Sequence, residues 1–137
     1  MQIFSADPNF EVNARCLDCK RLNKQKVELF QIINCIITGK GWQNHPAVNM
    51  ARRHELFFIE YGLEIAEECL RRGYKDTMIP RINALRSHFN DYKIPTFWGD
   101  AAFHDSHKSN LIRKLPEHYG KLWPGVPNNL PYVWPKN

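Results

Sequence analysis

No stretch of this 137-residue chain approaches the roughly 18 consecutive apolar positions that a helix needs to cross a bilayer, so no membrane association is expected. The opening residues MQIFSADPNF contain neither a basic n-region nor an apolar h-region, and the protein is expected to be soluble and intracellular. Alternation of apolar and polar residues at period two is missing throughout, which argues against a half-buried sheet. No self-similarity recurs at the roughly 20 to 50 residue periods of solenoids. Acidic residues are in deficit, with 14 Asp and Glu against 19 Lys and Arg, and the net charge of +5 suits phosphate backbones or other anionic partners. Cysteine is sparse. Cys16, Cys19, Cys35 and Cys69 lie in helical-looking segments of a chain with no export signal, so reduced thiols are expected.

What is present points to a globular protein. Hydrophobic residues make up 43% and aromatics 12% of the chain, too much for a disordered tail. A chain of this length buries roughly two thirds of its unfolded surface as one domain, here residues 1–137. From Asn13 as an N-cap, the spacing of Leu17, Leu22, Leu29, Ile33 and Ile36 predicts one long helix that Gly39 and Gly41 stop. A second helix is expected to start near Pro46, and residues 51–73 carry enough apolar side chains to be the central core element, ended by Gly73. Residues 81–88 suit a short helix after Pro80, residues 94–95 an extended break, and Asp105 or Ser106 the cap of a helix running through Lys114. The tail HYGKLWPGVPNNLPYVWPKN, rich in proline, glycine and aromatics, is expected to form no regular helix and to pack as an ordered strap over the core. The predicted fold class is all-α, a compact helical bundle.

On the first helix Asp18, Arg21, Gln25 and Glu28 recur at spacings of three, four and three, which puts them on one face with Lys24 beside them. Such a stripe is also what an ordinary solvated helix face carries. Basic residues cluster at Arg15, Lys20, Arg21, Lys24 and Lys26, at Arg52, Arg53 and His54, and at His107, Lys108, Arg113 and Lys114. Trp42, Asn44 and His45 form an aromatic and polar loop. Cations for phosphates beside a flat side chain for an exposed base is the physical recipe for gripping nucleic acid with one base unstacked. For His45 the competing role is a helix or loop cap, as it is for His118, and for Trp98 and Trp123 it is core packing. Cys16-x-x-Cys19 with His104-x-x-His107 has the residue types of a zinc site, but not the tight context of a zinc finger, and no metal is expected.

The segment IEYGLEIAEECLRRGYKD, with its Cys-Leu-basic-Arg-Gly-aromatic ending, resembles the central helix of the pyrimidine dimer DNA glycosylases of the phage endonuclease V type. An early helix with Lys20, Leu22 and Lys24 is also similar, and the ordered series RLNKQKVE, GWQNHPAVNM, FHDSHKSNLIRK, PEHYG and LPYVWP resembles a divergent phage and bacterial branch grouped with them. The resemblance covers most of the chain. It implies a monomeric, all-helical enzyme of the cytoplasm of a bacterial or phage-infected host cell, whose partner is double-stranded DNA and which needs no cofactor. It also implies a reaction in which the N-terminal α-amine, here on Met1, attacks the anomeric carbon of an extruded nucleotide, forms a Schiff base and nicks the strand by elimination. An ordinary α-amine has a pKa of about 7.7 to 8.0, so much of it is nucleophilic near neutral pH, and a nearby carboxylate stabilises the cationic sugar.

Two positions depart from the family pattern. Gln2 is too large for Met1 to be removed, which leaves the amine on Met1. Arg21 stands where the family's Arg-Glu-Leu places its essential glutamate. Glu28, about 10 Å further along the axis, and Asp18, about one turn away, are the substitute carboxylates. Arg15, Lys20, Arg21, Lys24, Gln25, Trp42, Asn44, His45, Arg53, His107, Lys108 and Arg113 are the expected DNA-contacting residues. The alternatives are a DNA-binding module of the same fold that has lost catalysis and, more distantly, a zinc nuclease.

Overall fold

The computed structural model describes residues 1–135 and is all-α. In chain order its helices are α1 (Phe10–Cys16), α2 (Cys19–Thr38), α3 (Pro46–Ala51), α4 (Glu55–Arg71), α5 (Met78–Ala84), α6 (Ala101–Lys114) and α7 (Pro116–Leu122), with a 3-10 turn at Leu85–His88. The expected core helix is α4. It lies against α2 and also supports α1 and α5, and α2 carries α3 on its other flank. At the α2–α4 crossing Gly62 lets the helices approach so closely that a Cβ there would sit 2.8 Å from Leu29 Cδ2. Phe58, Ile59 and Ile65 on α4 and Leu22, Ile32 and Ile33 on α2 belong to the core, with almost no exposed surface.

The predicted single first helix is two. Leu17 and Asp18 are extended, with ψ of 135° and 159°, and they break the run between α1 and α2. Asn13 is not a cap. It is a fully buried residue inside α1, and Asn9 caps that helix by accepting from the Val12 N–H at 3.0 Å. The polar groups freed at the break are met from far along the chain. Arg72 Nη2 donates to the Ala14 and Arg15 carbonyls, His118 Nε2 bonds the Cys16 carbonyl, and the Asp18 N–H donates to Tyr119 Oη at 2.9 Å. Gly39 ends α2 in the left-handed region, as expected.

Other boundaries also moved. Residues 51–73 do not form one helix: a turn at Arg52–His54 separates α3 from α4. Pro80 sits inside α5, in its first turn, where its missing N–H costs nothing, while Asp76 accepts from the Met78 and Ile79 N–H groups. α6 begins five residues before Ser106, capped by Asp100 through the Ala102 N–H. The tail contains a helix after all, because Pro116 opens α7 at its first position. Beyond it the strap is ordered: Leu130 N–H donates to Ser109 Oγ, Val133 N–H to Ser106 Oγ, and Tyr132 packs on His107. The last two residues expected in the strap, Lys136 and Asn137, lie outside the described residues.

Candidate functional site

Residues 2 to 6 lie outside any helix, and Ile3, Phe4, Ser5 and Ala6 are buried beside α2, α4 and α6, with no strand among the described residues to pair with. A buried backbone must pair every N–H and C=O, and here side chains do the pairing. Gln25 clamps two residues at once, donating to the Gln2 carbonyl at 2.9 Å and accepting from the Phe4 N–H at 2.5 Å. Asn13 and Tyr61 donate to the Phe4 carbonyl, and Asn13 accepts from the Ala6 N–H. His104 and His107 grip Ser5 from both sides. Gly99 N–H donates to His104 Nε2, so the proton is on Nδ1 and goes to the Ser5 carbonyl at 2.7 Å; His107 Nδ1 accepts from the Ser5 N–H at 3.2 Å. Burial pushes the His107 imidazole down to about 3, so both rings act as neutral backbone clamps.

This is a different use for the expected H-x-x-H than zinc ligation or DNA contact. Both His104 nitrogens are occupied by backbone, and His107 is fully buried, its Nε2 without a partner among the described residues. Cys16 ends α1 and Cys19 opens α2, with the extended Leu17 and Asp18 between them. Among the described residues no three His, Cys, Asp or Glu side chains converge on a point.

The clamped segment delivers the Met1 α-amine to Glu28. The amine nitrogen lies 3.5 Å from Glu28 Oε1, and the Gln2 N–H donates to Glu28 Oε2 at 3.1 Å. The seven residues of helix that separate Glu28 from Arg21 are therefore no obstacle, because the amine sits at Glu28. Asp18 is committed elsewhere: it accepts from Tyr119 Oη and pairs with Arg21 at 3.2 Å. Burial raises its carboxyl, but the Tyr119 and Arg21 hydrogen bonds outweigh that and hold it below the usual carboxylate value. Lys24 Nζ approaches Glu28 to 3.8 Å from the solvent side.

Around the amine opens a cavity of about 260 Å³ lined by Met1, Glu28, Gln31, Trp42 and His45. Trp42 is 66% exposed, unusual for an indole. His45 is the N-cap of α3, its Nδ1 accepting from the Ala47 N–H at 3.0 Å, which leaves Nε2 as the protonated nitrogen of the neutral ring. Burial and then the neighbouring amine cation lower its pKa, partly countered by Glu28. Capping and lining the cavity are thus compatible roles for one side chain.

The basic clusters divide. Lys114 is pulled below the usual lysine value by burial and then by Arg21 and Lys24, which places the end of α6 beside the first cluster and Glu28. Arg53, in the left-handed region at φ 72°, lines a separate cavity with His88 and Lys93. Arg15 is exposed and pairs with Glu11, and Lys20 and Asn44 are exposed. Lys108 pairs with Asp105 and lies over the Trp123 ring. Besides His107, two expected DNA contacts hold the fold together: Gln25 is buried in the backbone clamp, and Arg113 donates to Ser109, Asn110 and the Asn128 and Leu130 carbonyls that fix the strap. Gln31 was not anticipated; its only sequence signal is that it follows Glu28 by three residues.

The family model described as pyrimidine dimer DNA glycosylase matches residues 1–80. The chain belongs to that family. The matched span holds Met1, the Gln25 clamp, Glu28, Trp42 and His45, whereas the histidine clamp on α6 and the strap lie beyond it. No curated protein and no solved structure matches the chain. Membership in a DNA glycosylase family makes DNA the substrate class, and among the described residues no helix is long and apolar enough to cross a membrane.

Proposed function

We propose that the protein is a base-excision enzyme, a DNA glycosylase with strand-nicking activity, acting on a damaged or modified base in duplex DNA through the Met1 amine. The observation that carries this is the amine 3.5 Å from the Glu28 carboxylate at the mouth of a cavity flanked by an exposed indole and a neutral imidazole. A structural salt bridge has no need of such a cavity, whereas a carboxylate beside an amine nucleophile can take up its proton and stabilise the cation that forms.

The amine lone pair attacks C1′ of the extruded nucleotide, and the bond from C1′ to the base breaks. Its electron pair leaves with the base, which takes its proton from solvent while the neutral His45 ring donates a hydrogen bond to it from Nε2–H. Glu28 accepts the proton that the amine sheds and returns it to O4′ as the C1′–O4′ bond breaks and the sugar ring opens, and the resulting iminium is stabilised by the restored carboxylate beside it. Glu28 then takes a C2′ proton, the electrons of the C2′–H bond form a C2′–C3′ double bond, and the 3′ phosphate leaves, which breaks the strand. Lys24, Arg21 and Lys114 on the same side supply cations for the flanking phosphates.

Incubation with ultraviolet-irradiated, abasic and modified duplexes in the presence of borohydride tests this. The expected product is a covalent adduct that mass spectrometry places on Met1. Salt-sensitive binding with neither adduct nor nicking on any duplex would overturn it in favour of a DNA-binding module without catalysis.

A further inference from the structure

A second cavity of about 440 Å³ adjoins the first and is lined by Met1, Gln31, Asn34, Cys35, Thr38, Lys40, Gly41 and Trp42. Met1, Gln31 and Trp42 belong to both walls, so the indole stands between a compartment holding the carboxylate and one holding amides. Gln31, Asn34 and Thr38 follow one another on α2 at spacings of three and four, on the helix face that continues from Glu28. The Thr38 hydroxyl is turned back to the Asn34 carbonyl at 2.9 Å, whereas the Gln31 and Asn34 amides are exposed and bonded to no other described residue.

We infer that this larger cavity is the base-reading subsite, with Gln31 and Asn34 hydrogen-bonding the edge of the extruded nucleobase while Trp42 stacks on its face. The inference rests on the proposed amine chemistry. C1′ is bonded to the base and is attacked by the amine, so the base must lie within a bond or two of Met1, and both cavities meet that condition. The smaller one is occupied on its walls by Glu28 and His45, the groups that serve the sugar and the leaving nitrogen. The larger one offers the ligand chemistry of a base: a carboxamide presents an acceptor and a donor side by side, as a nucleobase edge does, and an exposed indole gives a flat apolar surface. Lys40 at the rim supplies a cation for a neighbouring phosphate. The ligand class is therefore an unpaired nucleobase with adjacent donor and acceptor atoms, and Gln31 and Asn34 set which base is accepted.

The test is the double variant Gln31→Met, Asn34→Leu, whose exposed positions leave the core untouched, with circular dichroism as a folding control. Two duplexes are compared by affinity: one with a central mismatched base and one with a stable tetrahydrofuran abasic analogue at the same place. The variant is expected to bind the mismatched duplex about tenfold or more weakly than the parent, and the abasic analogue within about twofold. In turnover, release of the base is expected to slow by a similar factor while borohydride trapping on a preformed abasic site is unchanged. Equal loss on both duplexes, or none on either, would overturn the base-reading role. Absence of any adduct with the parent would instead refute the amine chemistry, and the two affinities would still decide whether this cavity reads a base.

Discussion

At the residue scale the decisive side chains are Glu28 and Gln25, one facing the amine and the other holding the backbone that carries it. Glu28→Gln keeps an acceptor for the Gln2 N–H but removes the charge at the amine. Borohydride trapping is expected to slow by about 10²- to 10⁴-fold, the range for losing a positioned acid or base, with the thermal midpoint little changed. Gln25→Leu has the opposite signature. It strands the part-buried Gln2 carbonyl and the buried Phe4 N–H, which costs about 2 to 4 kcal/mol in urea denaturation, since an unpaired buried group costs about 1 to 3 kcal/mol. Unchanged stability in that variant would mean that the N-terminal segment is held by its apolar side chains alone. Arg21 stands at the position expected for the family's glutamate, but the amine is at Glu28, so Arg21→Glu is not expected to raise activity.

At the scale of elements, the closeness of α2 to α4 decides where Glu28 stands. Gly62 permits that approach, and a Cβ at this position meets the end of the Leu29 side chain, with Ile82 Cγ2 3.6 Å away behind it. Gly62→Ala gains helix propensity of about 1 kcal/mol and asks only a methyl end to turn, so its stability is expected to stay within about 1 kcal/mol of the parent. Gly62→Val has no such gain and a branched Cβ against a fully buried Leu29, and is expected to lose about 1 to 3 kcal/mol by thermal or urea unfolding. Equal effects from both would show that α4 slides to make room. The Leu17–Asp18 break is the second element-scale feature. It was illegible locally because its orphaned groups are satisfied by Arg72, His118 and Tyr119, each more than 50 residues away.

At the scale of the whole molecule, the N-terminal segment is locked from below by α6, and that lock is pH-dependent. His104 and His107 are both held neutral by burial, with His107 down at about 3. The unfolded chain takes up protons near pH 6.5 that the folded chain refuses, so this contribution to stability is complete above about pH 6.5 and declines as the pH falls toward 3. The thermal midpoint is expected to fall between pH 6.5 and 4, and to fall less in His107→Gln, which keeps an acceptor for the Ser5 N–H but does not titrate. Further loss below about pH 4 belongs to Asp18 and Glu68, whose carboxyls lie below their usual values because hydrogen bonds from Tyr119 and Arg21, and from Arg71 and Arg72, outweigh burial. A parent midpoint flat between pH 7 and 4 would show that the two rings stay accessible to protons.

By itself the sequence determined the helical class, α4 as the core element, the stops at Gly39 and Gly73, Pro46 as a helix start and an ordered C-terminal strap. These follow from side-chain periodicity and from backbone preferences of glycine and proline, which act within a few residues. It also placed Asp18, Arg21, Gln25 and Glu28 on one face, because helical spacing alone fixes that. Tertiary structure decided what the face is for. Only when residues 2 to 6 are laid across α2 does Glu28 become the carboxylate at the amine, Gln25 a backbone clamp and Asp18 the partner of Tyr119. It also turned His104 and His107 inward and spent Arg113 on the strap. A polar side chain reads the same in sequence whether it meets water, DNA or a buried peptide group; what it meets depends on segments brought from 20 to 100 residues away, and no local pattern encodes that encounter.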